Sequence, residues 1–157
     1  MSDESLKRLI QRELREIDAL LARSNELFKI ADDEEPSFER LAALSQILIS
    51  FYTGLERIFE RIARHVDRSI PEGQRWHAEL LRQVADSAPD REAVISEESR
   101  TRLRDYLAFR HRSRHAYAHH LEWRPMKNLV GQLTDTWKVV RPEVERFLEG
   151  HGIDGTA

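Results

Sequence analysis

The sequence contains no cysteine, six glycines and five prolines among its 157 residues. The lack of cysteine excludes disulfides, thiolate chemistry and zinc sites built from cysteine. Few glycines and prolines together with a charged fraction of 34% favour a mostly helical, well-solvated chain. Glycine-rich phosphate loops, GxSxG elbows and HExxH zinc motifs are also missing, which argues against the common nucleotide-binding and hydrolase classes.

Long apolar segments are missing as well. The longest run without a charge, Leu41–Leu55, is too short to cross a bilayer and includes serine, glutamine and threonine, so it predicts a buried core helix. The amino terminus has no hydrophobic h-region, and we therefore predict no signal peptide. These features lead us to expect a soluble, cytoplasmic protein with one domain over residues 1–149 and a frayed tail over residues 150–157.

Apolar residues recur at helical spacing along nearly the whole chain. The pattern predicts a first helix over residues 4–30 and a second, capped by Ser37, that runs to about Asp67. A short third helix carries Trp76 and His77, which we assign to packing. A fourth helix is predicted from near Ser96 to about His120, and a last one from Pro125 or the next residue. The expected fold is an all-α bundle of about five helices.

The stretch FRHRSRHAYAHHLEW, residues 109–123, combines four histidines with three arginines. It lies in a wider region, residues 100–124, that holds seven arginines and only two acidic residues, although the whole chain has a net charge of −3. A local basic patch on an acidic protein indicates a local anionic ligand, and a solvated charged face is the alternative.

The helical spacing sorts these cationic groups. If the fourth helix continues through the stretch, Arg110 shares a face with Tyr117, and His115 lies about 7–8 Å further along the axis. A long arginine side chain can cover that gap, so Arg110 and His115 could meet on one phosphate. Arginine binds phosphodiester oxygens and keeps its charge, and histidine can transfer a proton near neutral pH. RNA supplies its own nucleophile, the 2′-OH.

The motif Arg110-x4-His115, with the polar His111 directly after the arginine, resembles the signature of HEPN-domain ribonucleases. Its extension to Tyr117 gives R-x4-H-x-Y, which is similar to HepT-type toxins that are paired with a minimal nucleotidyltransferase antitoxin. Two further blocks, SFYTGLERIFERI and GQRWHAELL, precede the motif in the same order as in HepT-like proteins. The resemblance therefore covers roughly residues 5–149.

The resemblance implies a role for each matching residue. Arg110 would bind and polarise the scissile phosphate, and His115 would be the general acid and base. His111 would support the site or a dimer contact. Tyr117 would be the residue that the antitoxin modifies with AMP. The family further implies a homodimer whose two motif helices form one composite cleft. The implied function is a metal-independent endoribonuclease toxin without a cofactor, in a type VII-like module.

Several readings of the same residues remain open. A non-catalytic HEPN module that binds a nucleotide, or scaffolds a nucleotidyltransferase partner, is the alternative to the nuclease. On a continuous helix, His111, His115 and His119 would form one stripe at i, i+4 and i+8 that could chelate zinc or nickel. They have no carboxylate among them and lie beside arginines, so we expect no metal. His119 and His120 have no assigned role. Four further arginines are candidates for guiding RNA: Arg104, Arg112, Arg114 and Arg124.

Overall fold

Five α-helices form the protein in a computed structural model that describes residues 1–33 and 35–150. They are α1 (Asp3–Asp33), α2 (Phe38–Ile62), α3 (Trp76–Ala85), α4 (Glu97–Ser113) and α5 (Trp123–Gly150). A π-helical turn, Ala63–Asp67, extends α2, and a 3-10 turn, Ala118–His120, precedes α5. The described residues contain no β-strand. The prediction of an all-α bundle of about five helices is confirmed.

Helix α2 occupies the centre of the bundle and packs against each of the other four helices. Ser37 caps it as predicted, because its Oγ accepts a hydrogen bond from the Arg40 amide at 3.3 Å. Phe51 is fully buried and makes edge-to-face contacts with Tyr106 of α4 and Trp137 of α5, with ring centroids 5.3 Å and 6.0 Å away. The uncharged run of the sequence therefore forms the core helix that it predicts.

Helix α4 ends at Ser113, well before the predicted end near His120. Its last buried side chain is Phe109, and every residue from 114 to 120 is exposed. Helical stability in proteins comes mainly from packing of an apolar face, and this segment has no apolar face to bury. The prediction of one continuous helix is therefore wrong. Tyr117 does not share a helical face with Arg110, and His111, His115 and His119 do not form one stripe.

The remaining boundaries agree closely with the sequence pattern. α1 is slightly longer than predicted at both ends, and α2 with its π-helical turn ends at Asp67. α5 begins at Trp123 rather than at Pro125, since proline is tolerated in a first helical turn. The helix continues through Pro142 to Gly150. The rest of the predicted frayed tail lies outside the described residues. Within the described chain, no helix is long and apolar enough to cross a membrane.

Candidate functional site

Arg110 lies near the carboxyl end of α4 and points its guanidinium into the bundle towards α2. Its Nη2 donates to Glu56 Oε2 at 2.8 Å, and its Nη1 donates to Thr53 Oγ1 at 3.2 Å. Its Cζ lies 4.9 Å from the centre of the Tyr52 ring, within range of a cation–π interaction. The side chain is only 12% exposed. Arg110 is therefore fixed in place and is not a freely moving surface arginine.

His77 completes this cluster from the first turn of α3. Its Nδ1 lies 2.8 Å from Glu56 Oε2 and 3.1 Å from Arg110 Nη2. One ring nitrogen cannot donate to the carboxylate and accept from the guanidinium at once. The shorter distance and the negative charge of Glu56 favour donation from Nδ1, which leaves the lone pair of a neutral ring on Nε2. Glu56 thus joins α2 to both α3 and α4.

Glu56 is a buried acid, with 8% of its side chain exposed. Desolvation, followed by the negative charge of Glu56, raises the pKa of the neighbouring Tyr52 hydroxyl far above its usual range, so Tyr52 stays neutral.

Sequence reasoning did not identify Glu56, Thr53 or Tyr52 as site residues, and it assigned His77 to packing. One signal was present: Glu56 is the first charge after the uncharged run and sits directly beside the buried Leu55.

A cleft of about 540 Å³ opens between α2 and the segment that follows α4. Arg110, Glu56 and His77 line its polar end, together with Thr53 and Arg114. The remaining lining is formed by small and apolar side chains and by three short polar ones: Ala42, Ser45, Gln46, Ile49, Ser113, Ala116, Ala118 and Leu121. The cleft therefore offers fixed hydrogen-bond donors next to an apolar surface.

A second concavity, the cationic groove, has a volume of about 300 Å³ and shares Arg110, His77 and Arg114 with the cleft. Its other lining residues come from α4 and from the segment around the start of α3: Gln74, Arg75, Ala78, Arg104, Leu107, Ala108 and His111. No carboxylate is among them. Six cationic or titratable side chains thus contribute to the lining of one groove, whose surface is otherwise mostly apolar. Positive groups clustered in this way can attract a phosphate.

Only some of the site residues predicted from the sequence line the cleft or the groove. Arg110, His111, Arg104 and Arg114 come together at the groove. The other two arginines, Arg112 and Arg124, are exposed and are not among the lining residues of the cleft or the groove.

His115 and Tyr117 lie on the exposed segment after α4, and neither belongs to the lining of the cleft or the groove. Tyr117 is 71% exposed, and its ring stacks on His119 with centroids 5.5 Å apart. The His120 ring meets Tyr117 edge-on at 5.8 Å. The structure therefore does not place His115 in the lining of the cleft with Arg110, and the unassigned His119 and His120 form an aromatic cluster with Tyr117.

The histidines of this region are not arranged as a metal site. In the part of the chain that the structure describes, no three histidine or acidic side chains are grouped so that they could hold a metal ion.

An all-α bundle with an arginine-centred cleft on its fourth helix fits the class of HEPN-type helical domains. A family model described as HepT-like protein matches residues 43–151, which is more than half of the chain, and the protein belongs to this HepT-like family. The matched range begins within α2 and contains Glu56, His77, Arg110 and His115. Searches of curated proteins and of solved structures found no match.

Proposed function

We propose that this protein is a metal-independent endoribonuclease, the cytoplasmic toxin of a type VII-like toxin–antitoxin module. The observation that carries the proposal is the fixed position of Arg110, where the cleft meets the cationic groove. Glu56 and Thr53 accept from two of its five N–H donors, and in this proposal remaining donors bind a phosphodiester that enters the cleft. An arginine held in this way loses little conformational freedom when it binds a phosphate.

The reaction needs no bound metal. The 2′-OH of RNA attacks the neighbouring phosphorus, Arg110 stabilises the crowded phosphorane, and His115 transfers protons as general acid and base. The products are a 2′,3′-cyclic phosphate and a 5′-OH. Arg104 and Arg114, which line the groove beside Arg110, would hold the flanking phosphates of the strand. Arg112 and Arg124 would contribute only non-specific electrostatic attraction for RNA.

A homodimer is part of this proposal, because His115 is exposed on the segment after α4 and does not line the cleft of its own protomer. Two protomers that face each other with these segments would place the His115 of one near the Arg110 of the other. The partly exposed Ile49 and Leu121 in the wall of the cleft offer apolar surface for such a contact. His111, at the rim of the groove, would support this arrangement.

Tyr117 is proposed as the residue that a cognate nucleotidyltransferase antitoxin modifies with AMP. Its 71% exposure makes the hydroxyl accessible to a partner enzyme. An attached AMP would add a bulky anion next to the arginine-rich end of α4 and would exclude RNA by charge and by size. The test is mass spectrometry after incubation with the nucleotidyltransferase and ATP. Neutralisation of the toxin with Tyr117 unmodified would refute this proposal.

The ribonuclease itself is tested with purified protein, structured RNA and EDTA. The wild type should cut the RNA, whereas Arg110→Ala and His115→Ala should lower the rate by about 100-fold or more. Arg112→Ala is the matched control, because it removes an exposed arginine from the same helix without touching the cleft. Product ends should be a cyclic phosphate and a 5′-hydroxyl. If wild type and His115→Ala leave the RNA equally intact, the proposal is wrong.

One observation favours a second candidate, a non-catalytic module that scaffolds its nucleotidyltransferase partner or binds a nucleotide. The charge of Arg110 is already paired with Glu56. In that case the protein should form a stable complex with the nucleotidyltransferase, and Arg110→Ala should not change RNA integrity in any assay.

A further inference from the structure

His77 has no role in the ribonuclease mechanism described so far, yet it lines both the cleft and the groove. Cleavage of RNA by its own 2′-OH requires two proton transfers, one from the nucleophile and one to the leaving 5′-oxygen. We propose that His77, oriented by Glu56, is a second catalytic residue that takes the general-base role in place of His115, so that His115 acts as the general acid only. This inference rests on the proposed ribonuclease function.

The ring of His77 is held in a defined orientation. Nδ1 lies 2.8 Å from the Glu56 carboxylate, and the adjacent Trp76 ring packs against the imidazole with centroids 3.7 Å apart. Among the described residues, Nε2 has no hydrogen-bond partner, and a quarter of the side chain remains exposed. A carboxylate that fixes one ring nitrogen and leaves the other open is the arrangement that a catalytic histidine needs.

Arg110 brings the substrate to this histidine. Its Nη2 lies 3.1 Å from Nδ1 of His77, and both side chains line the cleft and the groove, so we expect a phosphate bound to the remaining guanidinium donors to lie close to the imidazole. A 2′-OH adjacent to that phosphate is then within reach of Nε2, directly or through one water molecule. His115 lies on the exposed segment after α4 and would come from the partner protomer of the homodimer proposed above.

The proposed step balances in protons and bonds. The 2′-oxygen forms a bond to phosphorus while its proton passes to Nε2 of His77. The bond from phosphorus to the 5′-oxygen breaks, and the leaving oxygen takes a proton from His115. Each turnover leaves His77 protonated and His115 neutral, and solvent exchange restores both, since both histidines reach water.

Charged groups face His77 from several elements. Glu56 of α2 lies at hydrogen-bond distance from the ring. Cationic or titratable side chains line the groove on the other sides: Arg75, which precedes α3, Arg104, Arg110 and His111 of α4, and Arg114 directly after it. Because a general base acts in its neutral form, we expect cleavage to rise with pH, and this acidic limb should depend on His77.

The chain provides a matched control in His65. Its Nε2 lies 2.8 Å from the Asp3 carboxylate, and the side chain is 23% exposed, which closely matches His77. His65 is not among the lining residues of the cleft or the groove. His65→Ala thus removes a histidine–carboxylate pair with the same separation and a similarly exposed imidazole from a different place, although it pairs through Nε2 and its carboxylate is more exposed than Glu56.

The experiment compares His77→Ala, His77→Asn and His65→Ala in single-turnover cleavage of an RNA that the wild type cuts. Asparagine places an N–H where Nδ1 stood, so it keeps the hydrogen bond to Glu56 but cannot transfer a proton. Both His77 variants should be slower by about 100-fold or more and should lose the acidic limb, and His65→Ala should match the wild type. Affinity for a non-cleavable 2′-O-methyl RNA should stay within about threefold in all variants.

A second substrate separates base from acid. An RNA with a bridging sulfur in place of the scissile 5′-oxygen has a leaving group that needs no protonation. His115→Ala should regain most of its activity on this RNA, and His77→Ala should not. If His77→Asn cuts RNA at the wild-type rate, or if His77→Ala recovers fully on the sulfur substrate, His77 is not the general base. The proposed ribonuclease function would not be affected by that result. If the wild type leaves RNA intact, the ribonuclease function fails, and this inference fails with it.

Discussion

The ion pair between Glu56 and Arg110 should contribute more to stability than any exposed pair of this protein. Both side chains are largely buried, with 8% and 12% exposed, and their nearest atoms lie 2.8 Å apart. Removal of one partner from a buried pair leaves an uncompensated charge, which costs about 3–5 kcal/mol. The two single replacements should nevertheless differ, because their remaining partners differ.

Glu56→Leu leaves the cation of Arg110 with only Thr53 as acceptor and removes the acceptor of His77. We expect it to lower the free energy of unfolding by about 3 kcal/mol, the lower end of the range, because Arg110 keeps its cation–π contact with Tyr52 and some solvent. Arg110→Met leaves Glu56 with the hydrogen bond from His77, and should cost only about 1–2 kcal/mol. For a domain of this size, 3 kcal/mol corresponds to a melting temperature about 6–12 °C lower.

The assay is urea unfolding of both single variants and the double variant. The double variant should be more stable than the sum of the single effects predicts, with a coupling energy of about 2 kcal/mol. The matched control is the pair Glu98 and Arg102, with nearest atoms 3.1 Å apart and 65% and 32% of the side chains exposed. Its coupling energy should be about 0.5 kcal/mol or less. Equal coupling in the two pairs would show that Glu56 does not hold Arg110.

Three further predictions concern the bundle. Burial raises the pKa of Tyr106 to about 12, so the folded state holds this proton more tightly than the unfolded chain. The resulting stability is fully present below about pH 10 and is lost as pH rises towards 12. Urea unfolding at several pH values in this range should show that the free energy of unfolding falls less steeply with pH in Tyr106→Phe than in the wild type. Asp67→Ala leaves Arg91 buried without its carboxylate partner, which lies at 2.6 Å, and should cost at least about 3 kcal/mol by thermal unfolding. A Cβ at Gly54 would lie 3.0 Å from Cγ1 of Ile17. Gly54→Val should therefore cost about 2–3 kcal/mol, and Ile17→Ala in the same chain should recover part of that loss.

The helices could be predicted because their signals are local. Apolar spacing and the Ser37 cap act within a few residues, and both are present in the structure. Ser96, near which the fourth helix was predicted to start, caps α4 in the same way. The end of α4 could not be predicted in this way. The segment after Ser113 contains residues that are compatible with a helix and no glycine or proline before Pro125. The sequence therefore contains no signal for the end of α4. The helix stops because the core stops at Phe109, which is a property of the tertiary packing.

The candidate site likewise has a local part that the sequence indicates and a long-range part that only the structure shows. The spacing of Arg110 and His115 is a feature of one short segment, and the sequence indicates it directly. The contacts that fix Arg110 join residues 54 and 33 positions away, because Glu56 lies on α2 and His77 on α3. Such pairs are set by how three helices meet, and a single sequence contains no signal for that. A charged residue such as Glu56, on the buried face of the most apolar helix, is nevertheless a sequence feature that indicates a buried ion pair. A buried charge needs a partner in the folded protein, and here the partner is the arginine of the Arg110-x4-His115 motif.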